Sequence, residues 1–170
     1  TQNTALGGGA LQNNTTGSAN TAVGRDALIA NTTASNNTAV GFDALNSNTT
    51  GAQNTAFGYN ALEANTTGQY NTGIGWAALY ATTTSDNNTA LGYQAGSALT
   101  TGNSCTLIGS FAGDALTTGS NCTVVGQGAL TVATTGDDNT AIGRAALHLT
   151  TTGSNMVAVG YNALYTNTTG

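Results

Sequence analysis

The chain has 170 residues, with two Lys plus Arg, seven Asp plus Glu and a formal net charge of −5 at pH 7. It contains no lysine, which excludes a nucleic-acid reader because such proteins neutralise phosphates with a basic surface. Charged residues make up only 5% of the chain, which argues against electrostatic membrane attachment, and no apolar run approaches the roughly 18 residues of a membrane helix.

A 17-residue motif, N-T-A-φ-G-x-x-A-L-x-x-x-T-T-G-x-x with φ aliphatic or Phe, recurs ten times without an insertion or deletion. A constant period means that each unit occupies the same place in a stack. Residues 1–170 are therefore predicted to form a single repeat array without separate domains. Position 1 of the successive repeats is Asn3, Asn20, Asn37, Asn54, Asn71, Asn88, Cys105, Cys122, Asn139 and Met156.

The first part of each repeat predicts a short strand. In T-A-φ-G, a Thr and a mostly β-branched residue lie two apart and Gly closes the segment. We expect position 4 to point into the core. The invariant Gly at position 5 indicates positive φ or close backbone approach. Because Cys or Met replaces Asn in three repeats, we expect position 1 to be buried, with its Asn side chains stacked as a ladder.

The middle of the repeat carries an invariant Ala at position 8, which indicates a tight contact, and usually Leu at position 9. In repeats 6 and 7 that Leu is replaced by Gly96 and Gly113, and Leu99 and Leu116 appear three residues later. A shift of three keeps a side chain on one face of a helical turn but reverses its face on a strand. Positions 7 to 12 are predicted to form one helical or 3₁₀ turn. A kinked bend that reaches the same hollow is the alternative.

The T-T-G segment is expected to turn the chain, with one Thr inward or sandwiched and the other outward. Positions 6, 7, 10, 16 and 17 hold every charged residue and are expected in solvent. The predicted fold is mainly β, a β-solenoid of coils stacked about 4.8 Å apart. Three apolar side chains per coil, at positions 4, 8 and 9 or 12, make a thin core. This thin core favours a homo-oligomer, with a trimer as the preferred form and the Ala and Gly columns at the contact between copies.

Cys105 and Cys122 occupy the same column of adjacent repeats. Stacked coils would place their Cα atoms about 5 Å apart, inside the disulfide window of roughly 4.4–6.8 Å. An inter-coil disulfide in an oxidising compartment is one interpretation, and two small apolar residues replacing Asn is the other.

The side chains that could act as acids, bases or nucleophiles form no catalytic pattern. His148 is the only histidine, and the seven acids are scattered over variable columns. We therefore expect no enzyme, no cofactor and no metal site.

Aromatic residues mark one surface of the predicted rod. The functional interpretation is a recognition surface for sugars or for a partner protein. The alternatives are a lateral contact between copies, or packing of the rings on one another. The residues are Phe42, Tyr59, Trp76, Tyr93 and Tyr161 at position 6, with Tyr80 and Tyr165 at position 10.

The repeat is shown most cleanly by N-T-A-F-G at Asn54 to Gly58 and N-T-T-G at Asn65 to Gly68. It resembles repeats of bacterial surface proteins and phage tail-fibre proteins over the whole chain. It is similar, more distantly, to the shorter head repeats of trimeric autotransporter adhesins, which are left-handed β-rolls built as trimers. The resemblance implies an extracellular location, at a cell surface or in a virion fibre, and a structural or adhesive role without catalysis.

Taken together, these patterns predict a subunit or shaft of an extracellular filament or adhesin fibre. The chain ends at position 15 and begins at position 16, so Gly170 would lead in phase into Thr1 of the next copy. The expected partner is therefore a further copy, stacked or trimerised, with surface glycans as a second partner and neither nucleic acid nor membrane. The alternative functions are an ice-binding solenoid that uses the Thr columns and a glycan-binding solenoid.

Overall fold

The computed structural model describes residues 2–169, which form a β-solenoid of 17-residue coils with turns and no helix between the strands. Its strands lie in chain order in one parallel sheet, and each pairs with the same three positions of the next coil, as in Thr4↔Thr21. The predicted fold class is confirmed. Thr1 and Gly170, on which the predicted head-to-tail phase rests, lie outside the described residues. The strands are β1 Thr4–Leu6, β2 Thr21–Val23, β3 Thr38–Val40, β4 Thr55–Phe57, β5 Thr72–Ile74, β6 Thr89–Leu91, β7 Thr106–Ile108, β8 Thr123–Val125, β9 Thr140–Ile142 and β10 Val157–Val159.

The direction of the strand side chains differs from the prediction. In β2 to β10 the middle residue is buried, as Ala39 and Ala56 are, whereas position 4 is half-buried or exposed. The prediction that position 4 points inward is therefore wrong. Alternate strand residues face opposite sides, and the interior of so narrow a coil mostly accepts only Ala at this level, which leaves the larger residue outside.

Positions 6 to 12 form successive turns rather than a helix. In coil 1 the N–H groups of Ala10, Gln12 and Asn14 each donate to the carbonyl three residues earlier, at 3.3, 3.1 and 3.1 Å. The intervening N–H of Leu11 donates instead to Ala27 of the next coil, at 3.1 Å. Alternating bonds within and between coils require left-handed residues at positions 7 and 9, such as Leu28 with φ +52°. The predicted helical turn is wrong, and the kinked bend is the correct alternative.

The core is repacked where the Leu column is interrupted. Leu99 and Leu116 are fully buried at position 12, as the shift of the Leu pattern requires. A Cβ added to Gly96 or Gly113 would lie 2.5 or 2.9 Å from the side chain of Leu107. Leu107, which replaces the usual Ala at position 3, therefore fills the space that the two missing leucines leave.

Two columns of buried Asn side chains connect the coils. At position 1, Asn37 accepts the N–H of Asn54 at Oδ1 (2.8 Å) and donates from Nδ2 to the carbonyl of Gly51 (2.9 Å). At position 12, Asn48 donates from Nδ2 to Oδ1 of Asn31 (3.1 Å) and to the same Gly51 carbonyl (2.9 Å). The predicted burial and ladder at position 1 are confirmed, although its amides bond to the backbone rather than to one another.

The paired threonines face different surroundings, as predicted. Thr49 at position 13 donates its hydroxyl to the carbonyl of Thr66 in the next coil, at 3.0 Å, and is partly buried. Thr50 at position 14 donates only its N–H to that carbonyl and keeps an exposed side chain. Position 13 therefore belongs to the ladder, and position 14 belongs to the surface.

The invariant Gly at position 5 has both properties that the sequence indicates as alternatives, a positive φ and a close approach to the backbone of the next coil. Gly75 has φ +132°, and a Cβ added to it would lie 2.3 Å from the carbonyl oxygen of Gly92. Comparable close approaches occur at the other described position-5 glycines that have a following coil, from Gly7 to Gly143. A side chain here would separate neighbouring coils.

We expect Gly75→Ala to destabilise the protein by about 3 kcal/mol or more, because a strained φ alone costs about 1–3 kcal/mol and the backbone clash adds to it. Urea unfolding followed by circular dichroism measures the change. Gly8→Ala is the control, since a Cβ at Gly8 meets no atom within 4 Å. Equal unfolding midpoints for the two variants would contradict the explanation.

Candidate functional site

The outward sheet face, defined as positions 2 and 4 of the strands, exposes a continuous apolar column. Phe57 is 56% exposed and Leu91 is 46% exposed, although β4 and β6 lie in the middle of the array. Strands spaced about 4.8 Å apart make this column about 43 Å long. Contiguous exposed apolar patches mark interaction sites. The position-4 residues are Leu6, Val23, Val40, Phe57, Ile74, Leu91, Ile108, Val125, Ile142 and Val159.

The two columns that the sequence predicts as the contact between copies are not available at the surface. Ala44 and Ala61 at position 8 are fully buried within their own coils, and Gly58 at position 5 packs against Gly75 of the same chain. The predicted contact between copies through the Ala column is therefore wrong. The signal that could have identified the outward face is Ala in the middle of each T-A-φ strand, because the smaller residue marks the tighter side.

The four successive aromatic residues at position 6, in coils 3 to 6, pack on one another along the rod. Ring centroids of Phe42 and Tyr59, Tyr59 and Trp76, and Trp76 and Tyr93 lie 5.1, 5.9 and 5.0 Å apart, with interplanar angles of 7°, 4° and 11°. The guanidinium of Arg25 lies over the Phe42 ring at 5.2 Å. The inner rings thus cover each other's faces and present mainly their edges to solvent. Which role this strip serves stays a prediction.

A groove of about 350 Å³ lies beside this strip, where coils 4, 5 and 6 meet. We call it the Tyr80 groove. Tyr80 is 41% exposed. Its position-10 neighbours are Glu63 in coil 4 and Ser97 in coil 6. Burial, and then the Asp43 carboxylate, raise the pKa of Glu63. The groove is lined by Tyr59, Asn60, Trp76, Tyr80, Gln94 and Ser97, together with two alanines.

Tyr161 is separated from the other aromatic residues. It lines a second groove of about 250 Å³ with Arg144, His148 and Tyr165. The Arg144 guanidinium lies 5.7 Å from the centroid of the Tyr161 ring. The structure therefore divides the predicted strip into a stack around Trp76, with Arg25 over its first ring, and a separate part that contains Arg144 and His148.

The sequence did not reveal the partners of His148. Its Nδ1 lies 2.7 Å from the Thr131 hydroxyl and 3.0 Å from the Gly128 carbonyl, and its ring stacks on Tyr165. Because a carbonyl only accepts hydrogen bonds, the Gly128 contact favours a protonated Nδ1 that donates. The Thr131 hydroxyl then accepts a hydrogen bond from the same N–H. The contact then orients the imidazole and does not activate Thr131. Burial is the main cause of the raised pKa of nearby Asp114.

The two cysteines take over part of the Asn ladder. Asn88 donates from Nδ2 to the carbonyl of Gly102 (3.0 Å), and the Cys105 and Cys122 thiols donate to Gly119 (3.4 Å) and Gly136 (3.3 Å) in the same way. Both sulfurs are free thiols, so the disulfide stays a prediction. The adjacent Cys122 thiol, followed by burial, raises the pKa of the Cys105 thiol.

Comparisons with family models, curated proteins and solved structures each find no match for the chain. The resemblance to surface and tail-fibre repeats therefore stays a prediction that the motif alone supports. Among residues 2–169, no three His, Cys, Asp or Glu side chains converge as metal ligands. The same part of the chain contains no helix long and apolar enough to cross a bilayer.

We expect the double variant Cys105→Asn/Cys122→Asn to be more stable than the unaltered chain by about 1–2 kcal/mol. A thiol lacks the side-chain oxygen that accepts the next N–H, and each restored hydrogen bond contributes about 1 kcal/mol. Thermal and urea unfolding under reducing conditions measure the gain. Cys105→Ala/Cys122→Ala, which restores nothing, is the control. A double Asn variant no more stable than this control would contradict the explanation.

Proposed function

We propose that the chain is a non-enzymatic structural shaft of an extracellular fibre or adhesin, in which solenoids associate side by side through the outward sheet face. The supporting observation is the apolar column on an uncovered parallel sheet. Parallel sheets are almost always covered on both faces. Ala and Leu side chains cover the inner face here, and the outer face carries apolar residues in every described coil.

A second copy of the chain is the partner that best fits this face. The column repeats at the strand spacing of about 4.8 Å, and a partner that matches every coil must have the same spacing. Another solenoid of this sequence has that spacing. Thr and the position-4 residue lie two residues, or about 6.7 Å, apart across the face. Two facing copies can therefore join their apolar columns and leave Thr hydroxyls at the border.

The area of the face favours more than one contact. The outward sheet face, about 43 Å long and about 10 Å or three residues wide, presents roughly 430 Å² per copy. Stable pairs bury about 800 Å² per partner. A single face-to-face contact is therefore expected to be weak. Additional coils would enlarge this contact in proportion to their number. A trimer, in which each chain contacts two others, stays part of the proposal.

The ladders along the rod suit a shaft. Each coil is connected to the next by parallel strand pairing, by Asn side chains and by hydroxyls such as that of Thr66, which donates to Thr83 at 3.0 Å. These bonds repeat along the axis, so bending must distort several of them in each coil. The sparse charge and the resemblance to surface repeats support an extracellular location. The proposal includes no cofactor.

We expect Ile74→Glu/Leu91→Glu to dissociate the assembly, because carboxylates on the outward sheet face would be desolvated and repel their copies. Sedimentation equilibrium over a range of concentrations measures the mass. The control is Thr84→Glu/Thr101→Glu, which adds the same charges to the same coils at exposed position 14. The proposal would be contradicted if the wild-type chain stays monomeric at high concentration, or if the two variants form assemblies of equal mass.

An ice-binding solenoid is the second candidate, and one observation favours it. The position-14 threonines are exposed in every described coil, and within the described chain their hydroxyls form no hydrogen bond. The fold therefore does not require this invariant column to be Thr. Hydroxyls spaced about 4.8 Å apart form a regular array of the type that can match a crystal of water. Only one Thr of each pair belongs to it.

If the array binds ice, the protein is expected to show thermal hysteresis at millimolar concentration, and Thr84→Tyr/Thr101→Tyr should reduce it strongly by interrupting the column. Nanolitre osmometry measures the difference between the melting and freezing temperatures. Gln127→Tyr, at an exposed variable position, is the control and should retain activity. Absence of hysteresis and of ice shaping in the wild-type protein would exclude this function.

A further inference from the structure

We propose that the Tyr80 groove is a binding site for a neutral sugar unit, with Tyr80 as its stacking platform. The inference goes beyond the proposed structural role, since it gives one short segment of the rod a ligand that the other coils do not share. It rests on the free face of one aromatic ring, on the polar groups around that ring and on the absence of charge in the groove lining.

Tyr80 differs from the neighbouring rings in what covers it. Tyr59 and Trp76 stack on each other with an interplanar angle of 4°, so their faces are occupied. Within residues 2–169, no other aromatic ring pairs with Tyr80. The residue that follows it in the position-10 column is Ser97, which is too small to cover a ring. Tyr80 therefore lines the groove as an exposed ring with no other ring stacked on it, and a free ring face is what a platform for the C–H face of a sugar requires.

The polar groups of the groove match sugar hydroxyls, which both donate and accept hydrogen bonds. Gln94 contributes a side-chain amide with a donor and an acceptor, and Ser97 contributes a hydroxyl. Asn60 also lines the groove, but its Oδ1 is buried, which leaves only its Nδ2 donor for a ligand. The Tyr59 and Tyr80 rings add phenolic hydroxyls. Such a mixture at an aromatic wall is suited to an amphipathic ligand with one apolar and one hydroxylated side.

Charge and size narrow the ligand class. All residues that line the groove are uncharged, and Glu63 lies beside Tyr80 in the preceding coil, so an anionic ligand would find no cation and a nearby acid. The volume of about 350 Å³ is near the lower end of the roughly 300–1,000 Å³ typical of small-molecule sites. One sugar unit of a longer neutral glycan fits this description. The second groove, with Arg144 and His148, has a different character.

The chain supplies its own probe, because Trp76 is its only tryptophan and lines the groove. We expect titration with neutral methyl hexosides and neutral oligosaccharides to change Trp76 fluorescence saturably. Single-site sugar contacts of this kind are expected to have a Kd of about 1 mM, equivalent to about 4 kcal/mol. Glucuronic acid and sialic acid should bind at least about tenfold more weakly, a difference of about 1.4 kcal/mol.

Two variants test the platform in opposite ways. Tyr80→Ala removes the ring, and Ser97→Tyr adds a ring that covers its free face; each should weaken binding about tenfold or more. Thermal unfolding verifies that both remain folded. Tyr165→Ala changes a tyrosine of the same column in the second groove and should leave binding unaltered. The variant Ile74→Glu/Leu91→Glu should still bind sugar, which separates this inference from the assembly proposal.

Three results would overturn the inference. The first is no saturable fluorescence change with any neutral sugar at about 50 mM, well above the expected Kd. The second is unaltered binding by a folded Ser97→Tyr variant. The third is equal affinity for neutral and acidic sugars, which would show that the uncharged lining does not select the ligand.

Discussion

The hydrogen bonds between corresponding segments of successive coils are the interaction on which the rest of the structure depends. They connect strand to strand, Asn to backbone and Thr to backbone of the next coil, as from the Thr55 N–H to the Asn71 carbonyl at 2.8 Å. Such bonds form only if every coil has the same length and nearly the same path. This requirement explains the absence of insertions, and it explains why Gly58 and Gly75 must approach each other more closely than a Cβ allows.

The same requirement decides which side chains are inside. A coil of this circumference has little interior, so Ala at positions 3 and 8 and one Leu fill most of it. Larger aliphatic residues are therefore placed outside the strand, where they form the outward sheet face. The apolar surface that suits association is thus a consequence of a narrow core, and the Asn columns compensate for the small apolar content by satisfying buried backbone groups.

Much of this architecture could be predicted from the repeat. The seventeen-residue period predicts the coil and its stacking. The invariant Gly at position 5, such as Gly75, predicts a close backbone approach between coils. The replacement of Asn by Cys105 predicts that position 1 is buried. The inward direction of position 4 was predicted wrongly, because hydrophobicity indicated Ile74 rather than the glycine beside it, and only the available space decides between them. The helical turn was predicted wrongly because left-handed residues such as Leu28 have no signature in composition. The groove beside Tyr80 depends on which residues stack above and below it. Aligning the repeats in columns at the seventeen-residue period can show this stacking, but the depth of the groove requires coordinates.

The substitution of Leu107 for Ala has a consequence for how such arrays change in length. Most coils are interchangeable, so duplication or loss of one would leave the cross-section intact and alter the rod by a single strand spacing. Gly96 and Gly113 belong to coils 6 and 7, and both depend on the side chain of Leu107 in coil 7. Copying or deleting one of these coils alone would leave either a cavity or an overlap. Coils 6 and 7 should therefore be duplicated or lost together, while the coils on either side can be gained or lost one at a time.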